Sequence, residues 1–412
     1  MTQQCIIIGG SHAAAQIAVS LRQEGWGGDV LMLGDEPYLP YHRPPLSKAF
    51  LADEKEVESL SIRPEAFYQK NNIQFRQGRV TRIDKIAQTL TLVDGQILRY
   101  DKLALCMGSR VRQIALPGSE LKGVHYLRNI SDVKGIKRQV KKEKRAVIIG
   151  GGYIGLEAAA SLRKQGVDVV VLEAGARILQ RVTSPEVSAF YAQVHAEEGV
   201  AIFTDIAVTA LLGEERVERV ACRDGRIFSA DFVIIGIGVI PNVELAEQAG
   251  IDVDNGISVD KFCRTNDSNI VAAGDCTSHF NDIYQRQLRL ESVPNANEQG
   301  KSAAASLCGF NKAFKSLPWF WSDQYDLGLQ GVGQTNGTAT ALRTLSDDAE
   351  ILFYLNNSNQ LVGAAGLGVG NAVAKDIKLA HKLIEAKVAI EAAHLEDPTT
   401  NLKKLLRPVP AN

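Results

Sequence analysis

Val147-Ile148-Ile149-Gly150-Gly151-Gly152-Tyr153-Ile154-Gly155-Leu156-Glu157 is the stretch whose reading decides the fold. An apolar, β-branched run meets Gly-x-Gly-x-x-Gly at Gly150, Gly152 and Gly155, then opens into Ala158-Ala159-Ala160-Ser161-Leu162, residues that favour a helix. Strand, tight turn and helix in that order set this pattern apart from a glycine-rich turn that binds nothing. Gly150 permits the turn, Gly152 lets the backbone approach a pyrophosphate, and Gly155 lets the helix pack closely on the strand. The helix start offers unpaired N–H groups and a positive dipole end to phosphates. Val167 to Leu172 reads as the next strand, with Glu173 at its end. A carboxylate there accepts a ribose 2′-hydroxyl and repels a 2′-phosphate, which favours NAD over NADP. Arg177, nearby in sequence, is placed to soften that preference.

A second copy stands at the start of the chain, in Cys5-Ile6-Ile7-Ile8-Gly9-Gly10-Ser11-His12-Ala13-Ala14-Ala15. Its pattern is Gly9-x-Ser11-x-x-Ala14. Alanine at the third position still allows close helix packing, whereas Ser11 crowds the path of a pyrophosphate or donates its hydroxyl to it. His12 reads as a turn residue rather than a catalyst. The following strand, Asp29 to Leu33, ends at Gly34-Asp35-Glu36, so Asp35 or Glu36 takes the ribose role. Two such units in one chain imply two dinucleotides, or a gene duplication with one site lost; the first is favoured because the segments after each copy differ.

Composition agrees with that plan. At 412 residues the chain suggests two or three domains, and its 45% hydrophobic and 23% charged content is that of a globular protein. A formal net charge of -1 gives no reason to expect nucleic acid or an anionic membrane. No apolar run reaches membrane-spanning length and no signal peptide is evident, so a cytoplasmic protein with reduced, buried cysteines is expected. Cys5, Cys106, Cys222, Cys263, Cys276 and Cys308 are scattered without a C-x-x-C pair, and no metal site is expected.

The first unit is followed by a proline-rich stretch, Pro37 to Lys48, which is read as a rigid loop leading into a helix at Ser47. A β-rich segment follows, with Asp94-Gly95 as a hairpin turn. Lys102-Leu103-Ala104-Leu105-Cys106-Met107-Gly108-Ser109-Arg110 reads as a buried strand and small-residue turn. The basic run from Lys134 to Arg145 reads as a solvated face. Phe232 to Gly238 closes the second unit, and Ser268 to Asp275 is another apolar strand ending in Gly-Asp. In Trp319-Phe320-Trp321, alternation predicts one ring in the core and one out.

These parts in this order resemble the two-dinucleotide flavoproteins of the disulfide reductase superfamily. Members that relay electrons through thiols carry a Cys-x4-Cys pair where this chain has Arg43-Pro44-Pro45-Leu46-Ser47-Lys48, so a thiol relay is ruled out. That stretch, together with GGGYIGLE, GIGVIPN (residues 236–242), ESVPNANEQ (291–299) and PWFWSDQY (318–325), resembles the putidaredoxin reductase and aromatic-ring dioxygenase reductase family. The resemblance implies an α/β fold with two Rossmann-like domains in a glutathione-reductase-like arrangement, plus a C-terminal α+β domain. It assigns residues 1–110 and 236–317 to an FAD-binding domain, 111–235 to an NAD-binding domain and 318–412 to the C-terminal domain.

The resemblance also implies roles. Gly9, Ser11, His12, Ala13 and Ala14 would cradle the FAD phosphates, with Asp35 on the ribose. Arg43 and Lys48 would reach the flavin, Lys48 at its reactive edge. Val80, Arg128, Asp275 and Val293 would be further FAD contacts, Asp275 on the ribityl chain. Gly150, Gly152, Tyr153, Ile154, Gly155, Glu157 and Glu173, with Gly238, would hold NADH. Lys48, paired with Glu157, would stabilise the charge of the reduced flavin, and Trp321 would stand where the acceptor docks. A helix-surface carboxylate is the plain alternative for Glu157.

The implied activity is that of an NADH:ferredoxin oxidoreductase (EC 1.18.1 type). It would pass electrons singly to an acidic, transiently bound [2Fe-2S] ferredoxin serving a cytochrome P450 or Rieske oxygenase. A rubredoxin reductase and a flavin redox sensor resembling apoptosis-inducing factor are the alternatives. A monomer is expected. Lys375, Lys378, Lys382 and Lys387, with Lys301, form the expected basic docking surface, helical period placing the first three on one face.

Overall fold

The apolar runs at residues 5–8 and 146–149, each too short for a helix and buried on both sides, become central parallel strands of two sheets. A computed structural model describes residues 3–315 and 317–406. The expected domain limits also take in residues 1, 2, 316 and 407–412, which lie outside the described residues. Contacts divide the chain into a first unit (Met1–Arg43, Val57–Arg110, Val239–Ser316) and a second (Pro44–Glu56, Val111–Gly238, Leu317–Asn412).

The first unit's main sheet runs in the order Ile270–Ala272, Lys102–Leu105, Gln4–Ile8, Asp29–Gly34, Ile73–Gln77, all parallel. Alternate residues go to opposite faces. Cys5 and Ile7 join Met32, Ala104 and Val271 in one core, closed by Ala14, Ile17 and Leu21 of the helix His12–Gln23 and by Ala303 and Ala304 of Val293–Leu307. Ile6 and Ile8 join Leu31, Leu33, Leu103 and Leu105 in the other. That core is closed by Ile83, Leu90 and Leu92 of an antiparallel sheet, Val80–Asp84, Thr89–Leu92 and Ile97–Arg99. Fully burying such a side chain contributes about 1.5–3 kcal/mol.

The second unit repeats the plan. Its parallel sheet runs Val124–Tyr126, Phe232–Ile235, Arg145–Ile149, Asp168–Leu172, Ala201–Phe203. Val147, Ile149, Val170, Leu172, Val233 and Ile235 pack with Leu211 and Val220 of a three-stranded antiparallel sheet and with Val217 of the loop between their strands. In both units the strand before the glycine turn is central. The outermost strand beside Lys102–Leu105 comes last in its unit's sheet, whereas its counterpart, Val124–Tyr126, precedes the glycine turn in sequence. Residues 319–369 of the second unit form an antiparallel sheet, and the helix Ala374–Ala386 packs on its strand Leu361–Val369. Gly366 makes room for it: an added Cβ would lie 2.8 Å from Val373. The α/β class, the two Rossmann-like units and the C-terminal α+β region are those expected from the sequence.

Candidate functional site

In the second unit the glycine turn is fixed from both sides. The Gly150 N–H donates to the Leu172 carbonyl and the Gly236 N–H to the Ile149 carbonyl, each at 2.8 Å. Gly150 has φ +110, and a Cβ there would lie 2.4 Å from the Gly236 oxygen, so only glycine fits. A Cβ on Gly155 would lie 2.2 Å from the Gly150 oxygen, which is the close helix–strand contact expected of that position. Around Gly152, by contrast, a Cβ would meet nothing within 4 Å. Gly152 caps the helix Tyr153–Lys164 without a side-chain hydrogen bond, so the N–H groups of its first turn face that opening. A phosphate fits such a place.

The Glu173 carboxylate reaches across the same turn. One oxygen accepts from the Gly151 N–H at 2.6 Å and the other from the Gly175 N–H at 2.7 Å, and each keeps a lone pair for a hydroxyl. Arg177 does not oppose it. Its guanidinium donates to the carbonyls of Gln180, Thr183 and Ser184, because the loop's curled backbone offers three acceptors within its reach. Tyr153 packs on Phe320, with ring centroids 5.0 Å apart, and burial pushes its phenol pKa up. Ile154 is exposed at the turn. A Cβ on Gly238 would lie 3.4 Å from the guanidinium of Arg181, a cation that sequence reading passes over among other charged residues.

The first unit's turn has the same skeleton. Gly9 N–H donates to the Leu33 carbonyl at 2.8 Å and Cys106 N–H to the Ile8 carbonyl at 2.7 Å. Gly9 has φ +135, and a Cβ there would lie 2.2 Å from the Cys106 oxygen. Ser11 caps the helix His12–Gln23 without a side-chain cap bond. Arg43 Nε instead donates to its hydroxyl oxygen at 3.2 Å, and His12 Nδ1 lies 3.4 Å away. Ala13 and Ala14 are buried behind it. Arg43 also pairs with Glu36 at 2.6 Å, and the Tyr41 hydroxyl donates to Glu36 at 2.6 Å. Asp35 is the exposed acid at the strand end.

Asp275 accepts from the Ser109 hydroxyl at 3.1 Å. Its turn is held by Gln299, which sequence reading misses as a separate residue although it ends the ESVPNANEQ stretch. Fully buried Gln299 takes the Gly274 N–H at 2.8 Å and the Thr277 hydroxyl at 2.9 Å. Val80 begins an edge strand and Val293 begins a helix, both half-buried. Arg128, in the second unit, donates its N–H to Asp132 beside the Asn129 capping box.

The segment after Arg43 departs from expectation. Pro44–Ser47 is a 3-10 turn, and no helix starts at Ser47. The reason lies in the helix Tyr153–Lys164 and its C-cap residue Gln165, whose side chains take backbone groups that a local helix would use. Ser161 donates to the Ser47 carbonyl at 2.8 Å and Gln165 to the Leu51 carbonyl at 3.1 Å. One turn before Ser161, on the same face, Glu157 pairs with Lys48 at 2.8 Å. Glu157 is 4% exposed and not a surface carboxylate. It also accepts from the hydroxyls of Ser47 at 2.5 Å and Ser322 at 2.6 Å. Removing one partner from such a buried pair costs about 3–5 kcal/mol.

Trp319, Phe320 and Trp321 are all half-buried, which corrects the expected in-and-out alternation. They lie on an edge strand whose neighbour supplies Gly331 opposite Phe320, so that ring folds over bare backbone, while Trp319 packs on His381. Within the basic run, Lys137 pairs with Asp53, Lys144 with Asp231 and Arg145 with Asp168. Lys375, Lys378 and Lys382 line one cleft with Lys403, as helical spacing predicts for the first three, while Lys301 pairs with Glu298. All six cysteines are free. Among the described residues no group of acids, histidines and cysteines forms a metal site, and no helix is long and apolar enough to cross a membrane.

Residues 3–300 match the pyridine nucleotide-disulphide oxidoreductase model and residues 319–406 a reductase C-terminal model. Putidaredoxin reductase of Pseudomonas putida is 39% identical over 97% of this chain and 96% of its own. The ferredoxin–NAD(+) reductase component of the anthranilate 1,2-dioxygenase system of Burkholderia cepacia is 40% identical over 97% and 98%. Among solved structures, the reductase of the covalent putidaredoxin reductase–putidaredoxin complex superposes with a TM-score of 0.92, at 39% identity over 98% of each chain.

Proposed function

We propose, from the premise that this chain belongs to the pyridine nucleotide-disulphide oxidoreductase family, that it is an NADH-dependent FAD flavoprotein delivering electrons singly to a [2Fe-2S] ferredoxin. The observation that carries this reading is the Lys48–Glu157 pair, whose Lys48 stands in the segment where a thiol relay needs two cysteines. Held by these residues, FAD would supply the chemistry that joins a two-electron hydride donor to a one-electron acceptor, with the accompanying proton lost to solvent.

The chain's own residues bind, orient and balance charge. Gly9 shapes one turn, where Ser11 offers a pyrophosphate its hydroxyl, and Gly150 and Gly152 keep the other open. Glu173, fixed by two backbone N–H groups, accepts the ribose hydroxyls of NADH and repels a 2′-phosphate. Asp35 takes the ribose of FAD, and Asp275, oriented by Ser109, takes its ribityl chain. Lys48 supplies a fixed positive charge where the flavin gains negative charge. A preorganised cation in a partly desolvated site is worth more than the same cation in water.

An acidic ferredoxin serving a P450 or Rieske oxygenase is the partner, as the names of the relatives suggest. Its transient docking is assigned to the cleft of Lys375, Lys378, Lys382 and Lys403, with Trp321 as the ring on the acceptor side. A cytoplasmic location is supported by six unpaired cysteines. The test is NADH-dependent reduction of ferricyanide and, through a [2Fe-2S] ferredoxin, of cytochrome c, side by side. Reversing Lys375, Lys378 and Lys382 together should abolish the second and spare the first. A wild type that oxidises NADH rapidly with neither acceptor would overturn the assignment.

A further inference from the structure

A chain of buried hydrogen bonds ends on Glu157, and its direction follows from the chemistry of its members. A carboxylate only accepts, so the Ser322 hydroxyl donates to Glu157. With its one hydrogen used, Ser322 Oγ accepts from Gln324 Nε2 at 3.1 Å. That turns the Gln324 carbonyl oxygen towards His195 Nε2, 2.7 Å away, which must carry the imidazole hydrogen. A neutral ring has one N–H, so Nδ1 accepts from the Tyr325 hydroxyl at 3.0 Å. Burial lowers the His195 pKa, which favours the neutral ring, although its bond to Gln324 acts the other way. Ser322, Gln324 and His195 are each no more than 1% exposed.

We propose that His195 and Gln324 are positioning residues: through Ser322 they lock the Glu157 carboxylate against the Lys48 ammonium, holding that cation in one place during turnover. The proposal rests on the reading of Lys48 and Glu157 as the charged pair that serves the flavin. Simple packing does not account for the chain, because apolar residues would fill the same space without the cost of burying three polar groups. Nor is it a proton wire. The Gln324 amide has no readily exchanged acidic proton to hand on, so what passes along the chain is orientation.

Two measurements on the FAD-loaded protein test it. The first is the nitrogen-15 spectrum of the His195 ring at neutral pH. The Nε2–H tautomer is expected, and an Nδ1–H tautomer overturns the direction derived above. The second compares His195→Leu, Ser322→Ala and His195→Gln with Glu157→Gln, reading the flavin midpoint potential and the rate of flavin reduction by NADH. His195→Leu and Ser322→Ala should slow reduction about tenfold, equivalent to about 1.4 kcal/mol in the barrier, and move the potential in the direction that Glu157→Gln does. His195→Gln, whose amide places a donor near the Nε2 position, should restore most of both. Ser322→Ala removes a single oxygen atom and keeps the test open should His195→Leu fold poorly. If Glu157→Gln moves both readouts while His195→Leu and Ser322→Ala move neither, the positioning role is wrong and the pair stands. If Glu157→Gln itself moves neither, the reading of the pair falls and the positioning role falls with it.

Discussion

The two glycine turns share a skeleton and differ in what faces the ligand. In each, the first glycine donates to the end of the next strand, and the strand on the other side donates back. In each, a Cβ on that glycine would strike the carbonyl oxygen of a neighbouring strand, Cys106 in one and Gly236 in the other. The central turn is bare at Gly152 and its acid, Glu173, is gripped by backbone. The N-terminal turn carries Ser11, tied to Arg43, and beside the exposed Asp35 its other strand-end acid, Glu36, is held by Tyr41 and Arg43. The difference teaches that backbone packing sets the turn and leaves the residues around it free to differ; on the proposed function those residues would set how tightly and how selectively a dinucleotide is held.

The largest effect should come from the shared skeleton. Gly9→Ala and Gly150→Ala each force a side chain into left-handed backbone and against a carbonyl oxygen. Each should lower the free energy of unfolding by about 3 kcal/mol, read from urea midpoints, with loss of bound flavin from the first. A change below about 1 kcal/mol in one but not the other would break the equivalence of the two turns.

Next in size is the acid. Glu173→Ala removes an acceptor held by Gly151 and Gly175, and on the proposed function the ribose would lose its charged partner. The preference for NADH over NADPH, taken as a ratio of kcat/KM, should fall about fiftyfold. A wild-type protein that used both nucleotides equally would remove Glu173 from this role.

How much of this was legible depends on how far the deciding contact lies along the chain. The turns were readable because glycines, spacing and flanking strand and helix are all local. The family resemblance paired Lys48 with Glu157, but not the way the whole Pro44–Glu56 segment joins the second unit, which depends on contacts such as Ser47 to Glu157, 110 residues apart. The helix expected at Ser47 failed for that reason: its carbonyl is already taken by Ser161. Arg177 was near Glu173 in sequence, yet three loop carbonyls claimed its guanidinium. Gln299 and His195 act only through partners brought in by folding, and a lone glutamine or histidine gives no local signal of that. The Trp319–Trp321 alternation missed because Gly331 on the next strand leaves space that period-two patterning does not anticipate.

A smaller effect separates the roles of the glycines within one turn. Gly152→Ser copies the N-terminal turn into the central one. Its side chain enters open space, so the urea midpoint should stay where it is, while the KM for NADH rises about tenfold. Gly155→Ser should do the reverse, since its Cβ meets the Gly150 oxygen at 2.2 Å. Equal loss of stability in both variants would mean that the opening at Gly152 is filled by protein and not by ligand.

The converse swap, Ser11→Gly, should have the smallest effect and carries the sharpest question about this pair. Arg43 Nε already donates to Ser11 Oγ, so the hydroxyl keeps its own hydrogen to give. Its protein partner for that hydrogen, His12 Nδ1, is long at 3.4 Å, and a phosphate oxygen is the better acceptor. Glu36 keeps Arg43 in place when the serine is gone. Stability should therefore fall by no more than about 1 kcal/mol, a lost hydrogen bond plus the greater freedom of glycine in the unfolded chain. FAD should bind about fivefold more weakly, the equivalent of about 1 kcal/mol. The measurement is titration of the apoprotein with FAD, followed by flavin fluorescence. Tighter binding in the variant would show that Ser11 only crowds the pyrophosphate, and the N-terminal turn would then be a weakened copy of the central one instead of a differently built site.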